Sequence, residues 1–88
     1  MKLLLPKALQ RFSNDQDILT LPCKQLGELA QALRTTAPSL AAAILDEQDT
    51  FKPFVKLFMN QEPISPWDPN ISLSDSDEIS IVTALVGG

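Results

Sequence analysis

The residues best suited to chemistry are Gly87 and Gly88, the last two of the sequence. They follow directly on an apolar run, Ile79-Ser80-Ile81-Val82-Thr83-Ala84-Leu85-Val86. The chain holds only 3 glycines. With glycine near 7% of average usage, such a pair arises at two given positions in about 0.5% of chains. An end without side chains can thread a narrow channel and adopt backbone angles closed to other residues. Such an end is suited to presenting its own α-carboxylate to another enzyme. The alternative is a frayed tail without a role.

Other reactive groups are scarce. The chain has no histidine and a single cysteine, Cys23. An internal disulfide, a histidine-based triad, a Cys–His pair and nearly all zinc sites are therefore excluded. Lys24 beside Cys23 could lower the thiol pKa. With no histidine to activate it, Cys23 reads as a small buried hydrophobe. Asp75, Asp77 and Glu78 lack the glycine and the closing glutamate of a calcium loop, and read as a solvated turn. No metal ligand is expected. Asn70-Ile71-Ser72 matches a glycosylation acceptor without a secretion signal to accompany it.

A chain of 88 residues is one domain, residues 1–88. Its size allows roughly 60–68% of the unfolded surface to be buried. An apolar fraction of 44% marks a globular chain. The net charge of −4 argues against nucleic acid as a partner and favours a basic protein surface. Met1-Lys2-Leu3-Leu4-Leu5-Pro6 is too short and too soon broken by Pro6 and Lys7 to be a signal sequence. No run reaches transmembrane length. The expected location is cytoplasmic.

The elements that must position the tail follow from periodicity. Lys2 to about Phe12 reads as a first strand, with Pro6 marking an edge or bulge. Residues 13–17 form a polar turn and Ile18–Leu21 a second strand, giving a hairpin that Pro22 closes. Leu26, Leu29, Ala30 and Leu33 fall on one face of a helix. Pro38 breaks it and opens a second short helix over Leu40–Leu45. Asp46–Lys52 is a charged loop. Phe54–Met59 is a strand closed by a turn at Asn60-Gln61. Glu62–Leu73, with three prolines and Trp67, is loop, and Trp67 is expected to pack within it. Glu78–Val86 is the last strand. Its period of two directs Ile79, Ile81, Thr83 and Leu85 to the core. Val82, Ala84 and Val86 lie on the other face with Glu78 and Ser80, forming an apolar patch near the tail for a partner.

Element order and motifs together resemble a known family. The segment Phe54-Val55-Lys56-Leu57-Phe58-Met59-Asn60-Gln61-Glu62, the turn Leu73-Ser74-Asp75-Ser76-Asp77-Glu78-Ile79 and the ending Val86-Gly87-Gly88 are similar to the small ubiquitin-like sulfur carriers of the ThiS/MoaD type. The start of the third strand looks closest to the carriers for cysteine or thioacid biosynthesis. The resemblance implies an α+β, β-grasp (ubiquitin-like) fold. It has a mixed four- to five-stranded sheet, one main helix packed on one face, and residues 86–88 as a flexible tail. It implies no catalyst and no bound cofactor. An adenylating enzyme related to the ubiquitin activators would use ATP to activate Gly88, with Gly87 supplying clearance. Sulfur would replace the adenylate, and the thiocarboxylate would serve a sulfur-accepting biosynthetic enzyme for cysteine, thiamine, molybdopterin or a thioacid metabolite. Ser76 stands where the family usually has glycine, and Thr83 near a common proline, which predicts a more mobile tail. Two other readings stay open: a modifier joined to lysines through Gly88, and a passive binding subunit.

Overall fold

The computed structural model describes residues 1–83. Among these, the chain forms β1 (Lys2–Leu4), α1 (Lys7–Gln10) running into a 3₁₀ turn (Arg11–Ser13), and β2 (Ile18–Thr20). A 3₁₀ turn (Leu26–Glu28) then leads into α2 (Leu29–Thr36), followed by α3 (Pro38–Ile44), β3 (Val55–Met59), β4 (Glu62–Pro63) and β5 (Glu78–Thr83). The sheet order is β2-β1-β5-β3-β4. β5 pairs parallel with β1 and antiparallel with β3, so the last strand is the middle one.

The first strand is much shorter than its apolar run suggests. Pro6 lacks an N–H and holds φ −68° as the residue that opens α1. From Leu5 the spacing of buried residues changes from two to four, and Leu5 and Leu9 both enter the core. The expected strand over Lys2–Phe12 is therefore strand, helix and 3₁₀ turn. β1 is also not an edge: β2 is. The polar residues after it close the excursion, with Asn14 and Asp15 at φ 56° and 63°. Short polar side chains tolerate this left-handed region best. Ser13 is buried, its hydroxyl 2.8 Å from Gln16 O and 3.0 Å from Gln10 O, and it donates to one of them at a time.

The helical layer follows its periodicity. Leu26, Leu29 and Leu33 are fully buried. Burying each contributes about 1.5–3 kcal/mol relative to leaving it in water. Ala37, forced out of the helical region by the next residue, has φ −139° and ψ 70°. Pro38 then opens α3, which buries Leu40, Ala41 and Ile44. These side chains meet Leu3, Leu19, Val55, Leu57, Ile79 and Ile81 from the inner face of the sheet. The alternation expected of β5 holds over the described residues. Ile79 and Ile81 are buried, Thr83 is half-buried and Val82 is exposed.

Asn60 and Gln61 have φ 49° and 75° and join Met59 to its partner Glu62. Two positive φ values in a two-residue connection are what a tight hairpin between twisted strands requires. Glu62 and Pro63, expected as loop, thereby become β4. Pro63 is tolerated there because β4 is an edge strand, and Ile64 N–H still donates to Leu57 O at 2.9 Å.

A polar cluster locks the entry of β5 to this turn. Asp77 Oδ2 accepts from the Ser74 backbone N–H at 2.7 Å, and Oδ1 from the Asn60 side-chain amide at 3.1 Å. The Asn60 side-chain oxygen accepts from Glu78 N–H at 3.0 Å. The bonds to Asp77, the one from Ser74 N–H first and then that from Asn60, hold its carboxyl below the usual carboxylate range. A carboxylate with a lowered folded-state pKa contributes stability above its unfolded pKa. That stability is lost as pH falls through the folded value. An Asp77→Asn chain is thus expected to melt lower than the parent at neutral pH, with the gap closing below about pH 4. Melting curves across the acid range check this; a gap that persists at the lowest pH would mean that charge is not what the cluster uses.

Candidate functional site

Position, more than side-chain chemistry, defines the site. β5 is held by Lys2↔Glu78, Leu3↔Ile79 and Leu4↔Ser80 on one side. Val55↔Thr83, Lys56↔Val82 and Leu57↔Ile81 hold it on the other. The strand carrying the chain toward residues 84–88 is therefore held on both flanks up to Ser80 and on the β3 flank up to Thr83. Ala84, Val86, Gly87 and Gly88, which the sequence marks as tail and partner contacts, lie outside the described residues.

Val82 is where the sequence places it: 46% exposed, on the face away from the helices. The structure adds neighbours that the sequence reading did not assign. Residues opposite one another in register share a face. Ile18, Leu4, Ser80 and Phe58 thus form one row across four strands, with Val82 and Lys56 in the next row. Ile18 is 46% exposed, and Leu4 and Phe58 are half-buried. The alternation of β3 could have shown Phe58. Leu4 and Ile18 could not be found this way, because they lie in two different strands whose register no local rule gives. Lys2 and Lys56 bring cations to this face, and Glu78 an anion.

Cys23 is buried. Burial pushes its thiol pKa up, and the Glu28 carboxylate adds to the rise. The lowering expected from adjacent Lys24 does not occur, because Lys24 is exposed to solvent. A thiol kept protonated is a poor nucleophile. Among the described residues, no three His, Cys, Asp or Glu side chains gather as ion ligands. Nor is any helix among them long and apolar enough to cross a membrane.

Comparison with solved structures identifies the architecture. A chain of the Amycolatopsis orientalis BexX/CysO complex is 16% identical, with a TM-score of 0.81 over 99% of this chain and 98% of that one. Mycobacterium tuberculosis CysO is 17% identical, with a TM-score of 0.78 over 96% and 98%. The small archaeal modifier protein 1 from Methanosarcina acetivorans is 22% identical, with a TM-score of 0.80 over 99% and 94%. Identities this low establish the fold: a ubiquitin-like β-grasp, as the resemblance implied. No curated protein sequence matches the chain significantly. The model of the ThiS family matches residues 3–88. That match takes in nearly the whole sheet, the helical layer and the two glycines, and on it the chain belongs to the ThiS family.

Proposed function

We propose that the chain carries sulfur on Gly88 for a biosynthetic pathway. The observation that carries this reading is a family match that runs through Gly87 and Gly88. The carboxylate of Gly88 attacks the α-phosphorus of ATP in an adenylating enzyme and releases pyrophosphate. A hydrosulfide-equivalent nucleophile then displaces AMP, leaving a thiocarboxylate whose sulfur passes to an acceptor enzyme. Adenylation supplies the leaving group that a carboxylate lacks. The chain itself supplies no catalytic group. It is the protein substrate, and ATP belongs to the partner.

The sheet face around Val82 is the docking surface for the adenylating enzyme, with Ala84 and Val86 continuing it toward the tail. Apolar side chains at Ile18, Leu4, Phe58 and Val82, rimmed by Lys2 and Lys56, give a partner an apolar centre and a charged edge. Incubation with ATP, sulfide and the cognate enzyme, read by intact mass, tests the reading. Replacement of one oxygen by sulfur is the expected product.

Sulfur carriage on Cys23 instead of Gly88 is the rival route, since a thiolate can accept a persulfide sulfur. The buried, protonated thiol disfavours it. A Cys23→Ser chain is expected to load sulfur as the parent does. Loss of loading in a serine variant that remains folded would move the sulfur to Cys23.

The similarity to a small archaeal modifier protein supports a second use of the same end, attachment of Gly88 to lysines. Slow-migrating conjugates that disappear when Gly88 is deleted would identify it.

A further inference from the structure

A cleft of about 430 Å³ opens between α2 and the proline-rich loop. Its walls include Ala30 and Gln31 of α2, Phe51, Trp67, and Asp49 at the rim. We propose that this cleft takes an arginine side chain from a protein partner.

The cleft is preformed. Leu26 N–H donates to Ile71 O and Gly27 N–H to Pro69 O, both at 2.9 Å, and Leu73 N–H donates to Lys24 O at 2.8 Å. A Cβ on Gly27 would lie 2.8 Å from Pro69 Cβ, so only glycine allows the loop to seat this closely. The other wall is as firmly built. Asp46 N–H donates to Thr50 O at 2.9 Å, and Asp46 Oδ1 accepts from Gln48 and Thr50 N–H at 2.9 and 3.0 Å. Arg34 ties this loop to α2 through Asp49 Oδ1 at 2.9 Å and Asp46 O at 2.8 Å.

Between these fixed walls stands an aromatic pair. The Trp67 and Phe51 ring centroids are 5.6 Å apart at a tilt of 57°. Trp67 remains 46% exposed. Its place among three prolines predicts that Trp67 packs in its loop. It does pack, against Phe51, yet nearly half of its surface is open to a partner. A rigid, half-open indole loses little freedom when a partner covers it.

Charge selects the occupant. Asp49 Oδ2 has no hydrogen bond among the described residues, while Oδ1 is held by Arg34. The loop of this wall also carries Asp46 and Glu47, and Asp68 follows Trp67 directly. The nearby cations are engaged: Arg34 with Asp49, and Lys52 Nζ lying 3.4 Å from Ala42 O. An anionic ligand would meet the excess of carboxylates over cations in these loops. An aliphatic side chain would cover Asp49 Oδ2 without satisfying it. A guanidinium stacks on an indole face and donates to a carboxylate at once, which a compact ammonium does less well.

Trp67 is the only tryptophan, so its fluorescence reports directly on the cleft. The test titrates the full chain with capped Gly-Arg-Gly, and with the Lys, Leu and Glu counterparts, at low and high salt. Fluorescence and backbone amide NMR are the readouts. The arginine peptide is expected to bind saturably and most tightly, to weaken with salt, and to shift the Trp67 indole and the amides of Ala30, Gln31 and Phe51. Asp49→Asn should weaken it about tenfold. Trp67→Leu, which removes the reporter, is read by NMR alone and should abolish the shifts while the rest of the amide spectrum stays folded. The proposal is overturned if the leucine or glutamate peptide binds as tightly, if Asp49→Asn changes nothing in a folded chain, or if no peptide saturates. The titration reads neither ATP use nor sulfur loading, so failure here leaves the chemistry at Gly88 untouched.

Discussion

An Ile81→Asp chain is expected to be unfolded, and a Val82→Asp chain folded. The two residues are neighbours on β5, yet Ile81 is 2% exposed and Val82 46%. At Ile81 a carboxylate would face Leu29, Leu33 and the other core side chains with no partner. An uncompensated buried charge costs about 3–5 kcal/mol, on top of the lost apolar burial of about 1.5–3 kcal/mol. Together these approach the whole stability of a domain this size, about 5–15 kcal/mol. At Val82 the carboxylate would stand in water, across from Lys56 in the antiparallel register. A cross-strand pair of opposite charge offsets part of the lost β-propensity, so the change in stability should stay within about 1 kcal/mol. Circular dichroism and denaturant melts decide the stability half. Binding supplies the other half. If the adenylating enzyme covers this face, Val82→Asp should weaken its affinity about tenfold or more while the fold persists. Unchanged affinity would place the docking surface elsewhere, and a folded Ile81→Asp chain would contradict the core.

Deleting Gly88 is expected to abolish sulfur loading and leave the melting temperature unchanged. Among the described residues, every side chain assigned to the core lies at or before Ile81. Gly88 has no side chain to bury, and a terminal residue contributes little to stability. The truncated chain still ends in a glycine carboxylate, that of Gly87, but one residue short. One extended residue spans about 3.3–3.6 Å. A misplacement of about 1 Å at a reacting centre already costs roughly 100-fold, so the remaining carboxylate should not reach the phosphate it must attack. Intact mass after incubation with ATP, sulfide and the adenylating enzyme gives the loading, and calorimetry the stability. Normal loading of the shortened chain would remove Gly88 from the chemistry.

Much of this molecule is legible from spacing. The helix over Leu26, Leu29 and Leu33, its break at Pro38, the turn at Asn60-Gln61 and the two faces of β5 follow from local rules. Helical and strand periods, the steric effect of proline on the preceding residue and the tolerance of asparagine for positive φ act over a few residues. No distant contact is needed to apply them. The first segment shows their limit. Leu3, Leu4, Leu5 and Leu9 are apolar under either period, and Pro6 permits both an edge strand and a helix start. β5 runs on to Thr83, so its length does not stop β1 at Leu4; the chain turns at Pro6, which lacks an N–H for the ladder, and Leu9 reaches the core from a helix.

The site divides along the same line. Composition and order alone mark Gly87 and Gly88, because two bare residues after an apolar strand carry their meaning in the covalent chain. That same reading picked out Val82 from its alternation. Its companions Ile18, Leu4 and Phe58 come from three other strands, and only pairing in register puts them in adjoining rows. Trp67, Phe51 and Asp49 likewise form a cleft only because backbone hydrogen bonds bring the segment 69–73 onto residues 24–27. Such contacts join residues some forty-five positions apart, a separation over which hydrophobic period and turn chemistry carry no information.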